Sequence, residues 1–175
     1  MIKFVYQNKP LGTGDAVYKT KNMIKDNFFL MLLPDDLIIK KNCSKSMISI
    51  HNKRKCSVMA SMKVDKKTVK RWGIYSKETN LDKKNFYIKD VVEKPSIKSA
   101  PSNNAVIGRY ILPRKIFDVL KYQKKGKGGE IHITDAIRKL INLNYKFIGH
   151  SFDGKYLDCG TMHGYIKSSL EISKV

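Results

Sequence analysis

Two adjacent aspartates follow the most apolar stretch of the chain. Asp35 and Asp36 come after residues 28–33, a run of six apolar side chains, with only Pro34 in between. Two carboxylates bunched at the end of a strand are costly unless water, cations or hydrogen-bond donors compensate their charge. Oxygen ligands of this kind suit Mg²⁺, which prefers one or two carboxylates together with substrate phosphates. The pattern favours a magnesium site, with helix capping or an Asp turn as the alternative.

A third aspartate has neighbours of the same kind. Asp158 follows a short apolar strand and precedes a glycine and the start of a predicted helix. We interpret it as the partner of the first two carboxylates. For this residue taken alone, a cap of the last helix is nearly as good an explanation.

A carboxylate and an ammonium group stand together at the end of another apolar strand. Glu93 and Lys94 are followed by Pro95, which fixes the chain there. A carboxylate in this position can accept hydrogen bonds from two neighbouring sugar hydroxyls, and a lysine can meet a phosphate as a point charge. The alternative is an ordinary surface ion pair.

A loop with two glycines precedes the first predicted helix. Gly12 and Gly14 would let backbone N–H groups approach a ligand closely, because neither residue has a Cβ atom. A tight turn between a strand and a helix explains both glycines equally well. This loop alone is therefore a weak indication of a binding site.

The elements that must position these residues alternate between apolar strands and amphipathic helices, which is typical of an α/β domain. Residues 28–33 are apolar throughout, as expected of a central strand covered on both faces. Thr134 is a suitable N-cap for a helix, and Pro113 suits the first turn of another. The predicted strands are residues 2–6, 28–33, 57–64, 72–75, 86–93, 105–112, 145–152 and 156–158. The predicted helices are residues 15–24, 44–52, 135–142, 162–172 and one that starts at Pro113.

The charge of the chain is strongly positive but carries little specificity. The formal net charge is +20, and 30 of the 35 basic residues are lysines spread along the sequence. A nucleic-acid reader would more often cluster arginines and interleave aromatic side chains on one face. We therefore expect a solvated, lysine-rich surface without specific nucleic-acid binding, which still favours polyanionic substrates such as nucleoside triphosphates.

Hydropathy and cysteine usage indicate a soluble protein of the cytoplasm. A hydrophobic content of 42% is enough for a core, yet no apolar run approaches the length of a membrane span or a signal peptide. The three cysteines form no CxxC pair, and the four histidines form no HxxxH pattern. These spacings argue against a disulfide framework and against a zinc site.

Five separated segments follow the order of one enzyme family. They are residues 7–17 (QNKPLGTGDAV), 33–37 (LPDDL), 91–95 (VVEKP), 102–110 (SNNAVIGRY) and 156–160 (YLDCG). Together they resemble the UTP–glucose-1-phosphate uridylyltransferases, a branch of the sugar-nucleotide pyrophosphorylases. The resemblance implies one nucleotidyltransferase domain over residues 1–175. Its fold would be a Rossmann-like (GT-A-like) three-layer α/β sandwich with a mixed central sheet.

The resemblance also implies a reaction, in which UTP and glucose 1-phosphate give UDP-glucose and pyrophosphate. Asp35 and Asp158 would bind Mg²⁺, with Asp36 beside them at the substrate, and Lys94 would hold the sugar phosphate. Catalysis would be positioning and charge neutralisation by the metal, without a side-chain nucleophile.

Substrate contacts follow from the same resemblance. Gln7 and Gly12 would read the uracil base. Glu93 would hold the glucose hydroxyls, Gly73 would contact the sugar, and Val106 would offer it backbone contacts.

One feature of the family has no match in this sequence. Complete members begin with a strand and a glycine-rich loop that grips the triphosphate, and nothing before Gln7 resembles that loop. We therefore expect the chain to correspond to the last two-thirds of a family member, with an unpaired sheet edge. It would act as a homo-oligomer or with a chain that supplies the N-terminal segment. The alternatives are a non-catalytic sugar-nucleotide-binding protein and another sugar-1-phosphate nucleotidyltransferase, of the thymidylyl type.

Overall fold

Strands and helices alternate along residues 1–174, the part of the chain that the computed structural model describes. The strands are β1 (Phe28–Leu32), β2 (Asp36–Ile39), β3 (Ser57–Lys63), β4 (Gly73–Asn80), β5 (Asn85–Glu93), β6 (Asn104–Pro113), β7 (Phe147–Ser151) and β8 (Lys155–Asp158). The α-helices are α1 (Thr13–Lys19), α2 (Cys43–Arg54), α3 (Ile116–Leu120), α4 (Ile133–Asn142) and α5 (Met162–Ile172). Two 3-10 segments cover Lys66–Arg71 and Lys127–Gly129.

A six-stranded mixed sheet forms the centre, in the order β1-β6-β3-β7-β5-β4. Strands β3 and β7 are parallel, while the other neighbouring strands are antiparallel. Strand β6 lies between β1 and β3 and is buried along almost its whole length. This explains why most of its residues are apolar, because a strand covered on both faces does not need to alternate.

Helices cover both faces of the sheet, so the fold has three layers. On one face, α1, α3 and α4 pack through an apolar core that includes Met59 and Tyr110. Helix α4 contributes Ile133, Ala136, Ile137 and Leu140, which have the spacing of one helical face. On the other face, α2 packs through Cys43 and Met47 onto β3 and β6.

A separate two-stranded sheet brings distant acidic segments together. Strands β2 and β8 are antiparallel, and their register places Asp36 opposite Asp158. The N–H of Cys159 donates to the carbonyl of Asp35 at 2.7 Å, which extends the pairing by one residue on each side. The two acidic segments are therefore neighbours, although more than a hundred residues separate them in the sequence.

The position predicted for residues 28–33 was wrong. Strand β1 lies at the edge of the sheet and pairs only with β6 among the described residues. Leu30 is 37% exposed and Leu32 is 50% exposed, so one face of the strand is open. The apolar run predicted the strand correctly but not its place, because apolar composition does not report which neighbours a strand has.

Three further expectations about helices and strands were also wrong. Helix α1 stops at Lys19, where the hydroxyl of Thr20 donates to the carbonyl of Val17 at 2.7 Å, and turns continue to Ile24. Pro113 ends β6, opposite Phe28, and does not open α3. Residues 2–6 pair with no strand in the described structure and remain exposed.

The remaining predicted elements are present, with boundaries shifted by a few residues, and α5 has the predicted limits. Among residues 1–174, no helix combines the length and the apolar character that crossing a membrane would require.

Candidate functional site

A cavity of about 500 Å³ lies where several strand ends meet the β2–β8 pair. Seven of the nine predicted site residues line it, namely Asp35, Asp36, Gly73, Glu93, Lys94, Val106 and Asp158. They come from five separate parts of the chain, and the cavity is the place where the fold brings them together.

Asp35 and Asp158 converge at one point of this cavity. A Cβ atom placed on Gly160 would lie 2.8 Å from Asp35 Oδ2 and 3.4 Å from Asp158 Oδ1. The N–H of Gly160 donates to Asp158 Oδ1 at 3.0 Å, which orients that carboxylate. Asp158 does not cap the last helix, because Thr161 is the N-cap of α5 and accepts the N–H of Gly164 at 3.0 Å.

The donor set at this point fits a hard divalent cation. It consists of two carboxylates beside an open cavity, the number that Mg²⁺ usually takes from a protein when substrate phosphates and water complete its shell. Within residues 1–174, no cluster of three or more His, Cys, Asp or Glu side chains is placed to hold a metal by itself. A cation bound here would therefore take its remaining ligands from a bound phosphate and from water.

Asp36 faces the same cavity but is held by the scaffold. Its Oδ2 accepts the N–H of Gly108 at 2.6 Å, and its Oδ1 accepts the hydroxyl of Tyr156. Burial raises the pKa of this carboxyl above its usual range, against the opposing effect of the two hydrogen bonds. Both oxygens thus fix the loop that carries Asp35.

Two residues of β6, Gly108 and Arg109, have side-chain requirements that their contacts with this loop explain. A Cβ atom on Gly108 would lie 2.5 Å from Asp36 Oδ2, so the close approach requires glycine. Arg109 then donates from Nη1 to the carbonyls of Leu33 and Gly108, at 2.9 and 2.8 Å. Strand β6 therefore clamps the end of β1, from which the aspartates emerge.

A second group of side chains surrounds Glu93. The hydroxyl of Thr134 donates to Glu93 Oε2 at 2.5 Å, and Nδ1 of buried His132 lies 3.9 Å from Glu93 Oε1. A Cβ atom on Gly73 would lie 3.0 Å from Thr134 Cγ2 and 3.3 Å from Glu93 Oε2. The carboxylate is thus oriented into the cavity, with Lys94 next to it.

The expectation that Thr134 caps a helix was wrong. Helix α4 begins two residues earlier than predicted, at Ile133, and the N-cap residue is His132. The Thr134 hydroxyl is used for Glu93 instead. Sequence reasoning also missed Arg71 and Tyr156, which line the cavity. Arg71 lies in a basic stretch that reads as exposed surface, so no local signal distinguished it.

Two predicted residues lie beside the cavity without lining it. The side-chain amide of Gln7 donates to Asp15 Oδ2 at 2.8 Å and to the carbonyl of Gly12 at 3.2 Å. Gly12 has φ of 109°, and a Cβ atom there would lie 2.7 Å from the carbonyl oxygen of Ile131. Close packing already explains this glycine, while Thr13 next to it does reach the cavity wall.

Comparison with known proteins identifies a family and closely related enzymes. The family model described as nucleotidyl transferase matches residues 1–175. The UTP–glucose-1-phosphate uridylyltransferase of Pseudomonas aeruginosa is 37% identical over 161 residues, which cover 90% of this chain and 57% of that protein. The enzyme of the same name from Bacillus subtilis is 35% identical over 173 residues, covering 98% of this chain and 59% of that protein.

The solved structures agree with these relatives. A crystal structure of UDP-glucose pyrophosphorylase complexed with UDP-glucose matches with a TM-score of 0.92 and 39% identity, covering 98% of this chain and 66% of that one. The predicted Rossmann-like α/β fold with a mixed sheet is thereby confirmed. The chain spans 57% and 59% of the lengths of the two curated relatives.

Proposed function

The chain belongs to the nucleotidyl transferase family, and on that premise we propose that it forms UDP-glucose and pyrophosphate from UTP and glucose 1-phosphate. One observation carries the proposal: residues assigned to metal, sugar and phosphate from separate motifs line one cavity. Its volume of about 500 Å³ is within the range of small-molecule sites. The relatives that share most of this chain bear the name of that activity.

The cavity has two functional ends. At one end Asp35 and Asp158 offer their carboxylates to a divalent cation, which we propose is Mg²⁺. When bound, the cation neutralises phosphate charge as it develops during transfer. At the other end, Glu93 is positioned to accept hydrogen bonds from neighbouring sugar hydroxyls, because Thr134 fixes one of its oxygens. Lys94 is adjacent and available to the sugar phosphate.

The chemistry that these residues support is an in-line displacement. An oxygen of glucose 1-phosphate attacks the α-phosphorus of UTP, and the bond to the β-phosphate breaks to release pyrophosphate. The role of the protein is to align the two phosphates and to balance their charge, which together provide most of the catalysis in phosphoryl transfer. We propose that Gln7 and Gly12 meet the uracil base beside the cavity, and that Val106 contacts the sugar.

We keep two further parts of the sequence-based interpretation within this proposal. The protein would work in the cytoplasm, and it would act either as a homo-oligomer or together with a second, different chain. The net charge of +20 supports attraction of nucleoside triphosphates, whatever the assembly.

The experiment is an assay of pyrophosphate release from UTP and glucose 1-phosphate with Mg²⁺. It compares the unaltered chain with Asp35→Asn and with the matched control Asp153→Asn, an exposed aspartate paired with Lys84 outside the cavity. We expect turnover that falls at least about a hundredfold in Asp35→Asn only. Equal activity in both variants would refute the assigned site.

Two alternatives have distinct outcomes in the same assay. Higher turnover with dTTP than with UTP would indicate the thymidylyl type. Retained binding of UDP-glucose without any pyrophosphate release, also after addition of a chain that carries the glycine-rich triphosphate loop, would indicate a non-catalytic sugar-nucleotide-binding protein. Absence of both binding and turnover would contradict the proposal.

A further inference from the structure

Arg71 forms an ion pair with one of the two carboxylates at the proposed cation site. Its Nη2 lies 2.8 Å from Asp158 Oδ2, while Asp158 Oδ1 accepts the N–H of Gly160. Arg71 is the last residue of the 3-10 segment Lys66–Arg71, and its guanidinium carbon is 5.7 Å from the centre of the Trp72 ring. Among the arginines of residues 1–174, it is the one that lines the cavity.

We propose that the Arg71 guanidinium pairs with Asp158 while the divalent cation is absent, and that it moves to a phosphate of the nucleotide when the cation binds. This inference rests on the proposed function, because it takes Asp158 as a cation ligand. It assigns to Arg71 a positioning role at the cation site and then a direct contact with the substrate.

The guanidinium and a cation compete for the negative charge of one carboxylate. Asp158 Oδ1, which also accepts the N–H of Gly160, is the oxygen that faces the space shared with Asp35, and Arg71 holds Oδ2. Mg²⁺ binds carboxylate oxygens at about 2.1 Å, so a guanidinium that stayed on Oδ2 would put two positive charges side by side. Each charge weakens the binding of the other, and the cation binds more tightly once the Arg71 side chain has left.

The ion pair is weak enough to be exchanged. The Arg71 side chain is 53% exposed and that of Asp158 is 30% exposed. Pairs with this exposure contribute little to stability, because water screens them and ordering of the side chains costs entropy. The pair can therefore orient Asp158 and still separate when a cation binds.

The released side chain has a suitable new partner. The guanidinium remains beside the cavity, where the phosphates of a nucleotide would lie next to the cation. Its planar donors match phosphate oxygens in a bidentate arrangement, which a lysine such as Lys94 cannot provide. The exchange therefore couples cation binding to phosphate binding through one side chain.

The test uses Mn²⁺ alone as the first probe, titrated by electron paramagnetic resonance. In Arg71→Gln we expect Mn²⁺ to bind roughly two- to fivefold more tightly than in the unaltered chain, because a competitor for Asp158 is lost. The gain should disappear in an Asp158→Asn background. The matched control is Arg138→Gln, since Arg138 pairs with Asp90 at 2.8 Å with similar exposures of 48% and 28%, outside the cavity.

The second probe is UDP in saturating Mg²⁺, measured by calorimetry. Here Arg71→Gln should bind about tenfold more weakly, while Arg138→Gln should match the unaltered chain. A loss of folding in Arg71→Gln would weaken both probes, so tighter Mn²⁺ with weaker UDP is diagnostic of the exchange.

Two results would overturn the inference. Mn²⁺ affinity that is equal or lower in Arg71→Gln would show that Arg71 does not compete for the cation, and the proposed function could still stand. Unchanged UDP affinity would show that Arg71 does not reach a phosphate. Absence of UDP binding in the unaltered chain would instead refute the proposed function together with the phosphate contact.

Discussion

Asp35 and Asp158 direct their carboxylates at the space above Gly160, where a Cβ atom would lie 2.8 Å from one oxygen and 3.4 Å from the other. This convergence depends on the β2–β8 pair, whose register places the two acidic segments side by side. It leaves room for an ion only because residue 160 has no side chain.

A methyl group at position 160 should therefore weaken cation binding. In Gly160→Ala the new Cβ atom would push the Asp35 carboxylate away, and we expect Mn²⁺ affinity to fall about tenfold or more by electron paramagnetic resonance. Gly129→Ala is the control, because its Cβ atom meets nothing within 4 Å, although φ of 76° makes it a strained substitution. Equal Mn²⁺ affinity in Gly160→Ala and the unaltered chain would contradict the proposed ion position.

Removal of the Thr134 hydroxyl should affect sugar binding selectively. Thr134→Val keeps the shape but loses the 2.5 Å hydrogen bond to Glu93. A hydrogen bond to a charged group contributes about 1.5–3 kcal/mol. We therefore expect UDP-glucose affinity to fall roughly tenfold by calorimetry while UDP affinity changes little.

Thr68→Val provides the comparison for that variant. The hydroxyl of Thr68 donates to the carbonyl of Asp65 at 2.8 Å on the exposed surface, away from the cavity. It should leave both affinities unchanged. An equal loss of UDP and UDP-glucose affinity in Thr134→Val would mean that the threonine supports the whole cavity and not the sugar contact of Glu93.

Lys94 has a backbone conformation that suits glycine better than lysine. Its φ is 45°, and Lys55 at the end of α2 has φ of 54°. Replacement of either residue by glycine should stabilise the fold by about 0.5–1 kcal/mol in urea unfolding, because a side chain is disfavoured at these angles. Only Lys94→Gly should also lose affinity for glucose 1-phosphate, by about tenfold.

Comparison of Lys94→Gly with Lys55→Gly distinguishes relief of backbone strain from loss of phosphate binding. If Lys94→Gly binds glucose 1-phosphate as well as Lys55→Gly does, the ammonium group of Lys94 has no part in phosphate binding. If neither variant is more stable than the unaltered chain, the positive φ angles carry no strain.

Acid should destabilise the fold in part through His150. Burial lowers the pKa of this imidazole below its usual 6.5, and nearby Lys84 adds to the effect. Between the folded pKa and 6.5 the unfolded chain binds more protons, so stability is lost as the pH falls through that window. We expect the melting temperature of His150→Gln to fall less between pH 7.5 and pH 5.5 than that of the unaltered chain.

Exposed His163 provides the matched substitution. His163→Gln should follow the unaltered chain across the same pH range. Identical pH dependence in His150→Gln and His163→Gln would exclude burial of His150 as a source of the acid sensitivity.

Most of the fold could be predicted because its elements are local patterns. The strands of the sheet appear as apolar runs, and α4 has a clear apolar face formed by Ile133, Ala136, Ile137 and Leu140. The edge position of β1 could not be predicted, since strand order arises from long-range pairing. Likewise, nothing near residues 2–6 in the sequence indicates whether a partner strand lies beside them.

The candidate site divides in the same way. Residues at strand ends with unusual chemistry, such as Asp35 and Glu93, could be identified from their neighbours in the sequence. Thr134 and Arg71 could not, because their roles depend on partners 41 and 87 residues away. Their local sequences indicate a helix cap and a basic turn, and only the packing of β5, β8 and α4 gives these side chains other partners.

The central claim is that Asp35 and Asp158 bind a cation that takes part in holding a sugar nucleotide. The most direct measurement is the affinity for UDP-glucose by calorimetry, with and without Mg²⁺, in the unaltered chain, Asp35→Asn, Asp158→Asn and Asp153→Asn. Tighter binding with Mg²⁺, by about tenfold or more in the unaltered chain and Asp153→Asn but not in the other two, is the expected result. The claim would be contradicted by a UDP-glucose affinity that is the same with and without Mg²⁺. It would also be contradicted by an Mg²⁺ effect that persists in Asp35→Asn and Asp158→Asn.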